Sequence, residues 1–342
     1  PLSFPVDKLQ KLANEIFETE SAKSLQYGIT EGYAPLRKQV AARLASKFGI
    51  GRDYDMTVIT SGGQQGIDLA CKVLCNEGDT VICVNLKGLD VGTDGIDPNE
   101  LENILKTDKK VKLIYLIPTF QNPAGITMSL EKRKAVLALA KKYGVVILED
   151  NPYGELRFAG TDIPTIKSMD DEGVVLYCGS FSKILSAGMR VGFLCGHEEL
   201  VGKIVVVKQT NDVHTNLFFQ MLCSKFIETY GLDDHIRSIN KLYGENCAVM
   251  LDAMDKTFPK SVTYTRPEGG LFLWVTLPEG TDMKDFLART IAAKVAVVPG
   301  STFLPEPDKA CYSFRMNYSM PTVDQIRTGV NALAGVMKDM GL

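Results

Sequence analysis

The sequence predicts an α/β fold, with a large unit built on a mixed, mostly parallel sheet and a smaller α+β unit after it. Three observations carry this. Short apolar, β-branched runs recur through the first two thirds of the chain, as at Thr57-Val58-Ile59-Thr60 and Val145-Val146-Ile147-Leu148. These runs are continuously apolar rather than alternating, as in strands buried on both faces. Most are separated by helical patterns long enough to cross over to a parallel neighbour.

In chain order, residues 5–19 read as a helix with Leu9, Leu12, Ile16 and Phe17 on its apolar face. Residues 33–48 read as a second helix, closed by Gly49. A strand over 57–60 leads through Gly62-Gly63 into a helix that ends near Cys75. Strands are expected at 80–84, 111–117, 145–148, 174–178 and 191–195, with a helix over 130–143. Residues 199–254 are mainly helical, and 271–275, 295–298 and 312–316 read as strands of the smaller unit. The implied division is an N-terminal segment, 1–34, beside the small unit, a large domain over 35–225 and a small domain over 226–342. One stretch breaks the pattern. The strand 80–84 runs into Asn85-Leu86-Lys87-Gly88-Leu89-Asp90 without the dozen or so residues a parallel crossover needs. Either the sheet is antiparallel there or a connecting segment is missing between Val84 and Asn85.

A chain of 342 residues suggests two domains and a core that needs no staples. The formal net charge of -3 argues against a basic field that would recruit nucleic acid or anionic membrane. The 8 cysteines are scattered in apolar surroundings, which suits buried thiols in a reducing cytoplasm. With 3 distant histidines, the sequence offers no set of metal ligands. Residues 1–5 do not read as a signal peptide, and the apolar runs are too short to span a bilayer.

Four motifs that follow strands and a fifth inside one could carry chemistry. Gly179-Ser180-Phe181-Ser182-Lys183, with Ser186-Ala187-Gly188-Met189-Arg190, falls where open α/β sheets bind ligands. Ser180, Ser182 and Arg190 suit a phosphate, and Lys183 is a nucleophile once its amine is deprotonated; a serine-rich surface turn is the alternative. Asp150 ends an apolar run, where a carboxylate could hold a cationic ring nitrogen while Tyr153 offers its phenol to a ring oxygen; a turn aspartate is the alternative. Asn122, in Gln121-Asn122-Pro123-Ala124-Gly125, could bind the same ring oxygen or simply mark a turn. Ser61-Gly62-Gly63-Gln64-Gln65-Gly66 lies between strand and helix, where backbone amides at a helix start suit phosphate, but its glycine spacing does not fit a dinucleotide fingerprint. Arg315, inside the apolar strand 312–316, needs an anion: a substrate carboxylate or an internal salt bridge.

Taken together, from Tyr27 to Asn317, these stretches resemble the fold-type-I, class I/II aminotransferases, nearest the kynurenine/2-aminoadipate branch. Gln26-Tyr27-Gly28, Gly32-Tyr33-Ala34-Pro35-Leu36-Arg37 and Pro267-Glu268-Gly269-Gly270-Leu271-Phe272-Leu273-Trp274 match as well. The resemblance implies pyridoxal 5'-phosphate as cofactor and Lys183 as its Schiff-base lysine and proton shuttle. It pairs Asp150 with the ring nitrogen and Asn122 and Tyr153 with the ring hydroxyl. Gly63, Gln64, Ser180, Ser182 and Arg190 would hold the phosphate, and Arg315 the substrate α-carboxylate. Tyr27 would reach a neighbouring subunit's site, implying a homodimer with shared active sites. The implied reaction is ping-pong transfer of an amino group from an L-amino acid to a 2-oxo acid. The aromatic residue that stacks on the ring in the family would follow Val84, where the sequence offers none. Rival readings are a β-lyase or related reaction on the same scaffold, a fragment of an aminotransferase-like transcription regulator, and an NAD-dependent oxidoreductase, which the glycine spacing disfavours.

Overall fold

The computed structural model describes residues 3–83, 94–304 and 309–342. The elements run α1 (Val6–Thr19), α2 (Ser21–Ser24), α3 (Ala34–Arg43), β1 (Asp55–Thr60), α4 (Gly63–Leu74), β2 (Thr80–Cys83), α5 (Pro98–Thr107), β3 (Val111–Leu116), α6 (Leu130–Tyr143), β4 (Val146–Asp150), β5 (Val175–Ser180) and β6 (Gly192–His197). They continue as α7 (Glu198–Asn211), α8 (Leu217–Tyr230), α9 (Asp233–Thr257), β7 (Thr263–Tyr264), β8 (Phe272–Thr276), α10 (Met283–Ala292), β9 (Val298–Pro299), β10 (Ser313–Asn317) and α11 (Val323–Asp339).

The first sheet has the order β1-β6-β5-β4-β3-β2. β2 through β5 pair in parallel, whereas β6 is antiparallel to both β5 and β1. The expected mixed, mostly parallel sheet is therefore present. Its continuous apolar runs have a simple cause. Leu113, Leu148 and Leu176 point into the core beneath α4 and α7. Their neighbours Ile114, Ile147 and Val175 point the other way, into a core with Leu101 of α5 and Val136 of α6. Both sets are buried, so both faces require apolar side chains. A second sheet, β7-β8-β10-β9, is antiparallel throughout. Its core includes Phe286 and Phe314, with ring centroids 5.2 Å apart.

Several boundaries differ from expectation. β4 extends to Asp150 and β5 to Ser180, so both residues end strands. The strand expected at 295–298 is reduced to Val298–Pro299. The second helix widens into a π-type turn at Leu44–Phe48 before Gly49; 199–254 is mainly helical as expected, as α7, α8 and most of α9. Phe17 is half exposed, stacked on Phe218 at 4.9 Å instead of in the core. The division expected at 225/226 falls inside α8, onto which α1 packs; we propose the boundary at Gly231, just past that helix. The expectations for Val84 and 85–90 lie outside the described residues.

Beside the sheet, a buried ion triad fixes the start of β1. Lys167 Nζ lies 2.8 Å from Asp55 Oδ1 and 3.3 Å from Asp170 Oδ2, and all three side chains are almost fully buried. Removing the cation leaves two carboxylates facing each other without water. Lys167→Met is expected to cost about 3–5 kcal/mol, read as a lower urea midpoint with unchanged slope.

Candidate active site

The parallel strands β3, β4 and β5 bring their C-terminal ends to one place. Asp150, the last residue of β4, is only 7% exposed. Tyr115 of β3 donates its hydroxyl to Asp150 Oδ2 at 2.9 Å. Cys178 of β5 stands opposite Asp150 in register. Burial lifts the Asp150 carboxyl to about 6, while hydrogen bonds from Tyr115 and Cys178 act in the opposite direction. A carboxyl raised above its unfolded value penalises the native state once the unfolded chain ionises more readily. That penalty is absent below about pH 4, grows between about pH 4 and 6, and is constant above. Asp150→Asn should therefore stabilise the protein stripped of small molecules by on the order of 2–3 kcal/mol at pH 7.5, and leave it near wild type at pH 4. Thermal melts at the two pH values check this.

The turn between β1 and α4 closes over the same strand ends. A Cβ placed on Gly63 would lie 3.9 Å from both Asp150 Oδ1 and Ser180 Cβ. Gly62 has φ +80, and a Cβ there would collide with the Arg190 guanidinium; both facts require glycine. A Cβ on Gly192 would meet the Gly62-Gly63 backbone. The turn is held from behind by a polar cluster. Ser61 Oγ and Gln65 Nε2 donate to Asp212 Oδ2 at 2.9 and 2.7 Å, and the fully buried Lys208 donates to Asp212 Oδ1 at 2.7 Å. Gln64 sits exposed in the first turn of α4.

Ser180 Oγ donates to Ser182 Oγ at 2.8 Å and accepts from the Ser182 amide at 3.0 Å. Arg190 Nη1 reaches Ser182 Oγ at 3.3 Å from a left-handed backbone position, φ 52. Lys183 follows, half buried. Burial holds its amine below the ordinary lysine range, helped by the charges of Arg190 and Arg315. A lysine in that setting is deprotonated more readily and is the better nucleophile.

Arg315 arrives from the second sheet, on β10. Its Nη1 donates to Asn122 Oδ1 at 2.5 Å, and its guanidinium lies 4.1 Å from the centroid of Phe272 and 5.2 Å from that of Phe303. Its Nε is buried without a hydrogen-bond partner among the described residues. Among those residues the guanidinium meets an amide and two rings rather than a carboxylate, leaving cationic capacity to bind an anion. Tyr153 is 6% exposed, edge-on to Phe272 at 5.8 Å, and burial pushes its phenol up.

One cluster therefore gathers Lys183, Asp150, Tyr153, Asn122, Gly63, Ser180, Ser182, Arg190 and Arg315. Tyr27 is not joined to it by hydrogen bonds or ring contacts among the described residues; the residue is 78% exposed and its ring meets His214 edge-on at 5.8 Å. Sequence reasoning missed Tyr115, Cys178, Phe272, Phe303 and the Lys208–Asp212 cluster. Their one available signal was a polar or aromatic residue inside or just beyond an apolar run. The donor set fits pyridoxal phosphate. The glycine turn with two serines and an arginine forms a cradle that a Cβ would fill, the buried carboxylate stands beside it, and a depressed lysine amine follows.

Known proteins agree. The family model for aminotransferase class I and II matches residues 90–333. The chain is 38% identical to aromatic-amino-acid aminotransferase 1 of Thermococcus litoralis, covering 99% of this chain and 86% of that one. It is 34% identical to 2-aminoadipate transaminase of Thermus thermophilus, over 99% and 88%. The crystal structure of Pyrococcus horikoshii kynurenine aminotransferase, in complex with PMP, superposes with a TM-score of 0.94 at 38% identity, over 99% and 88%. The first alignment spans 359 positions against the 342 residues here, so the relative carries at least 17 residues without a counterpart in this chain. Strand topology, the clustered lysine, carboxylate and arginine, and these relatives lead to one assignment: the chain belongs to the class I and II aminotransferases, pyridoxal-phosphate enzymes that move amino groups between amino acids and 2-oxo acids.

Proposed function

We propose that the nine clustered residues, with Gln64, form the site of a ping-pong aminotransferase acting on aromatic and 2-aminoadipate-like L-amino acids. The observation that carries this is the half-buried Lys183 directly after the serines of the glycine-turn cradle, with the Asp150 carboxylate beside that turn; burial, helped by the charges of Arg190 and Arg315, holds its amine below the ordinary range. Bound pyridoxal phosphate supplies an electron sink for the substrate Cα and carries the amino group between half-reactions. Lys183 would anchor it through Nζ and, once the substrate amine has displaced Nζ and freed it, would take the proton from the substrate Cα. Asp150 would pair with the ring nitrogen. Asn122 and Tyr153 would hold the ring hydroxyl, and Arg190, Ser180, Ser182 and the amides of Gly63 and Gln64 would hold the phosphate. Arg315 takes the α-carboxylate on its fork, oriented by Asn122, with Phe272 and Phe303 excluding water beside it. The names of the relatives support the substrate range.

The reading includes a homodimer in which Tyr27 enters the partner's site. It is supported by Leu25, Tyr27 and Ile29, three apolar side chains within five residues that are each more than half exposed. We also place the protein in the cytoplasm. The eight cysteines are free, and among the described residues no helix is long and apolar enough to cross a membrane.

The test is a visible spectrum after adding pyridoxal phosphate, repeated after borohydride reduction with mass mapping. A yellow band and a label on Lys183 are expected. A label spread over surface lysines would make Lys183 an ordinary turn residue. Amino transfer from an amino-acid panel to 2-oxoglutarate separates this activity from a β-lyase.

A further inference from the structure

We infer that Tyr115 is a positioning residue for the reaction: its hydroxyl orients the Asp150 carboxylate and keeps it ionised for the ring nitrogen. The inference rests on the role proposed above for Asp150.

Tyr115 pairs with Leu148 across the β3–β4 ladder. Asp150 lies two residues beyond Leu148, so Tyr115 and Asp150 project from the same face as diagonal neighbours, a span a long side chain bridges. The 2.9 Å bond occupies Oδ2. The other oxygen, Oδ1, faces the glycine turn, 3.9 Å from where a Gly63 Cβ would sit. The carboxylate is thus pinned through one oxygen with the other turned toward the cradle.

The kind of partner matters as much as its place. The titratable groups facing Asp150 are Tyr115 from β3, Cys178 from β5 and Tyr153 from the segment after β4. Burial raises all three, so each stays protonated at neutral pH. Tyr115 is the hydroxyl in hydrogen-bond contact, whereas the Cys178 thiol also donates to Gly63 O at 3.6 Å. Neutral donors favour the ionised carboxylate without cancelling its charge. A lysine or arginine in the same place would spend that charge, leaving less for a cationic ring. A phenylalanine would leave a buried carboxylate oxygen unsatisfied.

The test uses Tyr115→Phe and Asp150→Asn in the full-length enzyme. The Asp150 carboxyl is titrated by infrared spectroscopy before loading with pyridoxal phosphate, with Asp150→Asn as the blank. Turnover is then measured on the loaded enzyme. In Tyr115→Phe the carboxyl should titrate about one pH unit higher than in wild type. The loaded variant should show kcat lowered roughly tenfold or more, with KM for the amino acid within about twofold. An unshifted titration overturns the inference, whatever happens to the melting temperature, because a merely structural tyrosine would lower stability alone. A shifted titration with wild-type kcat also overturns it. Full turnover in Asp150→Asn would instead sink the role of Asp150, independently of Tyr115.

Discussion

Lys183→Ala is expected to lower turnover by about four orders of magnitude, the upper range for losing a positioned acid–base group, and to abolish the borohydride label on the peptide that contains residue 183. The expectation rests on the kind of cation that acts on the lysine. Arg190 and Arg315, whose charges lower its amine, are guanidinium groups that do not deprotonate in proteins and cannot take a proton from carbon. For the same reason Lys183→Arg should be as inactive as Lys183→Ala, although it keeps the positive charge. Single-turnover absorbance with a good donor amino acid measures both variants. If Lys183→Ala kept within tenfold of wild-type rate, the proton would be moving by another route and the assignment of Lys183 would fail.

Arg315→Leu is expected to act on binding. A buried fork that meets a carboxylate contributes roughly 2–5 kcal/mol when one partner is removed, so kcat/KM for amino acids should fall about a hundredfold or more, mostly through KM. Arg315→Lys should fall in between, because a single ammonium cannot reproduce two parallel hydrogen bonds or stack on Phe272. Amino acid amides provide the control. Lacking the carboxylate, they bind wild type poorly and should lose little further in Arg315→Leu. An equal loss on acids and amides would show that Arg315 supports the Phe272 and Phe303 wall rather than the substrate.

The residues proposed for the site were more legible in the sequence than those that support them. Lys183, Asp150, Asn122 and Arg315 each follow or interrupt an apolar strand, where an ionisable or amide group is costly and therefore conspicuous. The strands themselves stood out because both faces of β3, β4 and β5 are buried. Tyr115 did not stand out, since an aromatic residue inside an apolar run reads as core, and its partner lies 35 residues away. The cluster of Lys208, Asp212, Gln65 and Ser61 was equally hidden: its members lie up to 151 residues apart, and each alone reads as an ordinary polar residue. Phe17 shows the opposite error. Helical spacing placed it on the apolar face, but the neighbouring Phe218 covers only one side of its ring. At the edge β2, the pattern stops at residues outside the described segments.

The bond between Asn122 and Arg315 joins positions 193 residues apart, and this has a consequence for how the enzyme comes into being. The groups assigned to the cofactor all lie between residues 63 and 190, so they leave the ribosome long before the arginine assigned to the substrate. β10, which inserts between β8 and β9, is synthesised after every strand of the first sheet. A nascent chain can therefore assemble the proposed cofactor pocket while it has no grip on an amino acid, and competence for transfer arrives only when β10 docks.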